Sequence, residues 1–198
     1  MATNSSRRTG LILVILLIVV VAFFATNYNS LVKKDEKVKV TWSDLQSAYQ
    51  RRGDLVPNLV SVVKASSDYE KQTLTQLAEA RAKAAQVTVN ATEPNNNNYK
   101  NQEQSQAEVA NSVNRIIAVV ENYPDLKGTK NFLYLQSQLE GTERRIKVAR
   151  NDFNGAVADY NQKVRSFPAN IVAKLTGYKM KEGFTAEPGA NQSPEIKF

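Results

Sequence analysis

The stretch from Thr9 to Tyr28 is 20 residues long, carries no charge, and holds LILVILLIVVVAFFA at positions 11–25. A helix rises 1.5 Å per residue, so this run matches the ~30 Å hydrocarbon layer of a bilayer. Fifteen consecutive apolar residues leave no polar face for water. A buried core helix is therefore a poor reading. A cleaved signal peptide also fits badly: cleavage after Ala25 would put Phe23 where a small residue is wanted, and lipoprotein processing needs a cysteine the chain lacks. The sequence predicts a retained anchor at 9–28 behind a short tail at 1–8. Arg7 and Arg8 on one side and Tyr28 on the other are the expected membrane-flanking residues.

The two arginines and short acid-free tail suit an N-terminus on the inside. Lys33, Lys34, Lys37 and Lys39 pull the other way. The expectation is a single-pass protein of a bacterial inner membrane, with its bundle on the extracytoplasmic side. The bilayer is then the first partner.

The chain contains no cysteine and no histidine. Disulfides, thiol chemistry, Cys/His zinc sites and histidine-based acid–base catalysis are excluded. The net charge is +7, but basic and acidic residues alternate and no basic run exceeds two, so nucleic-acid binding is not expected. No pattern suggests a catalytic, cofactor-binding or metal site.

Beyond the anchor the pattern is helical throughout. The expected class is all-α: a transmembrane helix, then an antiparallel up-and-down four-helix bundle at 29–168, then an irregular tail at 169–198. No Gly or Pro separates Gly10 from Gly53, so the anchor can run into the first bundle helix. Leu31, Val38, Trp42, Leu45, Tyr49 and Arg52 form one stripe along it. RRGDLVPNL, at 51–59, reads as a turn in which Gly53 ends one helix, Asp54 caps the next and Pro57 sits in its first turn. The second helix then runs to about Gln86, with Val56, Leu59, Val63, Ser66, Glu70, Thr73, Leu77, Ala80 and Ala84 facing inward. Residues 87–101, with Asn95–Asn98, read as a loop. A third helix is expected at 102–122 and a turn at Pro124–Gly128. The fourth helix repeats Phe132, Leu135, Leu139, Thr142, Ile146, Ala149, Phe153, Ala156, Tyr160, Val164 and Phe167 at steps of three and four, up to Pro168.

Two groups are candidate sites. Arg51, Arg52, Asp54 and Pro57 make a turn and charge cluster, either a docking point or a structural one. Gly141, Val148 and Gly155 share one outward heptad position, where small residues would let another helix approach closely. Glu140/Arg144 and Glu143/Lys147 read as ion pairs on a solvated face.

YNSLV (28–32), RRGDLVPNLV (51–60), LEGTERRIKVAR (139–150), the pairs Phe153-Asn154 and Tyr160-Asn161, and FPANIVAKLTGY (167–178) occur in order. Together they resemble the bacterial LemA family over nearly all of the chain after the anchor. The resemblance implies a membrane-anchored helical bundle and carries over no catalytic residue. One branch of that family is associated with magnetosome membranes. The functional expectation is a non-enzymatic scaffold or homo-oligomeric assembly unit. The alternatives are an adaptor for another membrane or envelope protein and, third, an enzyme working with carboxylates or tyrosine.

Overall fold

A computed structural model describes residues 3–64, 71–90 and 96–184, with side chains over 10–64, 74–87 and 99–184. Its elements are α1 (Thr3–Lys64), α2 (Lys71–Asn90), α3 (Asn96–Val120), α4 (Pro124–Lys127), α5 (Lys130–Arg165) and α6 (Ala169–Thr176). No strand occurs among the described residues. The all-α expectation holds. The chain divides into two compact units, Met1–Val40 with Gly155–Lys181 and Thr41–Asn154 with Glu182–Phe198.

In the larger unit, parts of α1 and α5 join α2, α3 and α4. Its core holds Val56, Leu59, Val63, Leu77 and Ala84 of the expected second stripe and Phe132, Leu135 and Leu139 of the fourth, together with Leu74, Val109, Val113, Ile116 and Val120; Ala80 is only partly buried. Neighbouring helices run antiparallel. Lys83 donates to Glu108 at 2.9 Å and Arg115 to Gln76 at 3.0 Å, so numbers rise along α2 as they fall along α3. Arg51 reaches Gln138 and Arg150 reaches Tyr49, both at 3.0 Å, in the same sense for α1 and α5.

The expected turn at 51–59 is not a turn. α1 passes through Gly53, Asp54 and Pro57 without a break and ends at Lys64. Proline has no N–H to give the carbonyl four residues back, which here is Gly53. Arg81 of α2 supplies the missing donor, its Nε bonding the Gly53 oxygen at 2.8 Å. Asp54 therefore caps nothing; α1 runs on to Lys64, and α2 is described from Lys71. Ser66, Glu70 and the Thr73 side chain lie outside the described residues. Of the expected loop at 87–101, residues 87–90 belong to α2 and 96–101 to α3, and the rest lies outside the described residues.

In the smaller unit, α1 carries the apolar run, whose large side chains from Leu11 to Val21 are all exposed. This helix is long and apolar enough to cross a membrane. Past the run, Leu31 packs with Val172 and Ala173 of α6, with Val164 and Tyr178 alongside. Lys34 pairs with Asp159 at 2.7 Å, and α1 and α5 again run antiparallel. The tail is thus helical at its start, and Gly177 ends α6 in the left-handed conformation (φ 80°) that favours glycine. Beyond Phe184 the tail lies outside the described residues.

Candidate functional site

In the larger unit an open groove of about 800 Å³ lies between α1 and α5. The helical period brings Thr41, Asp44, Ala48 and Arg51 to it from α1, and Gly141, Arg145, Val148 and Asp152 from α5. Because the two helices are antiparallel, Asp44 and Asp152 lie toward one end, and Arg51, Arg144 and Arg145 toward the other. The middle is small and apolar: Ala48, Val148 and Ala149. Val148 is 59% exposed, unusual for a valine on a long helix. A Cβ built on Gly141 meets only the Arg144 guanidinium, at 4.0 Å.

The structure therefore unites Gly141, Val148 and Arg51, which the sequence assigned to two separate groups. The remaining candidates lie elsewhere. Gly155 is exposed, with open space around its α-carbon, and is not part of the groove. Asp54 lines a separate pocket of about 360 Å³ with Gly53 and Arg81, and Pro57 is inside α1. Arg7 and Arg8 fall within α1, with side chains outside the described residues. Tyr28 makes an edge contact with Tyr178, ring centroids 6.2 Å apart.

Arg52 turns inward. It is 2% exposed and lies over the Tyr49 ring at 5.5 Å. It donates to Glu143 of α5 at 2.9 Å, and to both the backbone and side-chain oxygens of Gln106 of α3, at 2.7 and 2.6 Å. One guanidinium thus ties three helices. Glu143 faces Arg52 rather than Lys147, and Glu140 accepts from Gln136 at 3.2 Å. Arg52 belongs to the buried α1 stripe, and of its two sequence signals, that stripe and the charge cluster at 51–57, the stripe is the one that foretold its burial.

A second arrangement was not legible as such: α5 binds the tail's backbone. In the larger unit, Asn154 donates to the Phe184 carbonyl at 3.1 Å and accepts from the Phe184 N–H at 2.8 Å. The Phe184 ring then packs on Trp42 and Phe153, with Arg150 over its face at 5.3 Å. In the smaller unit, Asn161 makes the same pair of bonds to Lys181, at 2.7 and 2.9 Å. Tyr160 donates to the Lys179 carbonyl at 2.8 Å. The sequence signal was the two aromatic–Asn pairs, which point amides at a backbone rather than at one another.

Burial pushes the Tyr160 hydroxyl up to about 12, with the Asp35 carboxylate and Tyr178 adding to it. A raised folded-state value means that the neutral phenol is favoured in the fold. Its contribution is complete below the ordinary tyrosine value of 10 and is lost as pH rises toward 12. Tyr160→Phe should cost about 1 kcal/mol at neutral pH through the lost hydrogen bond. It should also flatten the fall in stability between pH 10 and 12, measured by urea unfolding at a series of pH values.

Among the described residues, no group of three or more acidic side chains is placed to hold a metal ion. A sequence profile described as the LemA family matches residues 41–198. The magnetosome proteins MamQ 1 and MamQ 2 of Paramagnetospirillum magneticum are each 25% identical over 205 residues, covering 93% of this chain and 75% of theirs. Protein LemA of Metamycoplasma hominis is 23% identical over 150 residues, covering 74% of this chain and 63% of its own. With a membrane-length apolar helix, an antiparallel helical bundle and a profile match over most of its length, the chain belongs to the LemA family.

Proposed function

We propose that this protein is a non-enzymatic, membrane-anchored assembly unit whose α1/α5 groove receives a helix from a neighbouring copy. The observation that carries the reading is the groove itself, with its small apolar middle and oppositely charged ends. Small residues let a second helix come close, and the separated charges fix its direction. A parallel two-fold pair would set Asp44 and Asp152 against their own counterparts, and Arg144 and Arg145 against theirs. Copies inserted the same way in one membrane avoid this by a head-to-tail contact, in which the groove meets a different face of the next copy. Such contacts close into rings or continue as filaments. Membership of the LemA family and likeness to two magnetosome proteins fit work at a membrane.

A photo-crosslinking residue in place of Val148, in the full-length chain and in native membranes, tests this. The expected product has twice the mass of the chain, with the second attachment point outside the groove. A product of another mass identifies an adaptor that holds a different protein. No product from Val148, with product from other exposed positions, removes the groove from assembly. Gly141→Ala should raise stability by about 0.5–1 kcal/mol, since alanine is the better helix former and its Cβ meets only the Arg144 guanidinium, at an ordinary contact distance of 4.0 Å. Gly141→Leu should leave the fold intact and suppress the Val148 crosslink.

A further inference from the structure

In the smaller unit three large apolar side chains stand in the open: Phe167 at 81% exposure, Ile171 at 50% and Leu175 at 73%. Ile171 and Leu175 lie four residues apart on α6, on the side away from its buried Ala169, Val172 and Ala173, and Phe167 lies just before the helix. Phe167 is the last residue of the stripe expected for the fourth helix; it lies just past the end of α5 and is exposed, where Ala149 and Val164 are half-buried. An apolar face left outward beside a helix capped by a buried face has the pattern of an interfacial helix.

Its position relative to the apolar run decides what covers it. α6 packs its Val172 and Ala173 on Leu31, three residues or ~4.5 Å beyond Tyr28, the last residue of the 9–28 span. Tyr178 lies against Tyr28 itself. At the end of α5, Lys163 donates to Asn27, inside the run, at 3.3 Å. α5 travels antiparallel to α1 here, through Lys34–Asp159 and then Asn27–Lys163. α5 ends at Arg165, two residues past Lys163, so Phe167 follows directly after the point where α5 reaches the run. Arg165 and Lys174 are exposed on the same segment and suit anionic headgroups.

We infer that residues 167–175 form a second membrane contact, lying in the headgroup and upper acyl layer of the bilayer that the 9–28 run crosses, with Phe167, Ile171 and Leu175 facing lipid. The inference rests on the reading that this run spans a membrane. The chain would then be held at two places, one through the bilayer and one along its surface, which fixes how the end of α5 meets the membrane.

The absence of native cysteine allows single-site labelling of the full-length protein. Ile171→Cys and Leu175→Cys, each carrying an environment-sensitive fluorophore, are reconstituted in vesicles of phosphatidylcholine and phosphatidylglycerol with or without nitroxide-bearing lipid. Val19→Cys reports the span, and Leu133→Cys, an exposed apolar position at the other end of α5, reports water. The expected result is that labels at 171 and 175 lose most of their emission to the nitroxide lipid and resist aqueous iodide, while the label at 133 behaves the opposite way. If 171 and 175 are as open to iodide as 133 while 19 is quenched by nitroxide, the surface contact is overturned and the span stands. Protection from both quenchers means that protein covers the patch, which also overturns it. Failure of the nitroxide to quench at 19 removes the span reading and this inference with it.

Discussion

Arg52→Ala should lower the unfolding free energy by about 3 kcal/mol, among the largest effects of any single substitution in the bundle. The guanidinium is buried, and it serves Glu143 and two oxygens of Gln106 at once. Removing it leaves the Gln106 backbone carbonyl and side-chain oxygen without this donor, and opens a void where α1, α3 and α5 meet. Glu143 itself can turn to water, because its side chain is 47% exposed, so Glu143→Gln should cost no more than about 1 kcal/mol. Arg52→Lys keeps the charge but cannot reach three acceptors with one amine, and should fall between the two. Urea unfolding in detergent, read by the emission of Trp42, the sole tryptophan, measures all three. A loss below 1 kcal/mol for Arg52→Ala would show that the clamp is not formed.

Phe153→Ala should cost about 3–5 kcal/mol. Phe153 is wholly buried and touches three other rings: Trp42 at 5.4 Å, Tyr99 at 4.9 Å and Phe184 at 5.4 Å between centroids. Edge and tilted contacts of this kind add to the area buried by the ring. Trp42 sits against the cavity the substitution leaves, so the folded protein should show red-shifted emission besides its lowered stability. Phe184→Ala should be milder, about 1–2 kcal/mol, since Phe184 is half-buried and the Asn154 bonds to its backbone survive the change. A Phe184→Ala loss equal to that of Phe153→Ala would mean that the tail residue is as integral to the core as the helix itself.

The periodic stripes were readable in advance because burial of a helix face leaves a three-and-four spacing that nothing else imitates. Leu31 through Arg52, and Phe132 through Tyr160 apart from half-buried Ala149, occupy inward positions as expected. The error at 51–59 came from giving Gly53 and Pro57 more authority than the spacing. Tyr49, Arg52, Val56, Leu59 and Val63 continue at steps of three, four, three and four, and all five are buried. A real turn would have reset that phase. What no local rule could show was Arg81, 28 residues away, standing in for the missing donor. The groove was half legible: the Gly141 and Val148 spacing put them on one outward face, but only the antiparallel pairing of α5 with α1 brings Arg51 to the same place. The tail was the least legible part. Asn154 and Asn161 hold it by its backbone, so its own side chains need follow no pattern.

The bond from Arg81 to the Gly53 carbonyl makes the continuity of α1 across Pro57 draw on a residue synthesised later. While the chain is being made, Gly53 emerges well before Arg81, and its carbonyl has only water to bond. The carbonyl that Pro57 leaves without a backbone donor is thus served in the finished fold by a side chain of the next helix, so the two helices share one backbone bond.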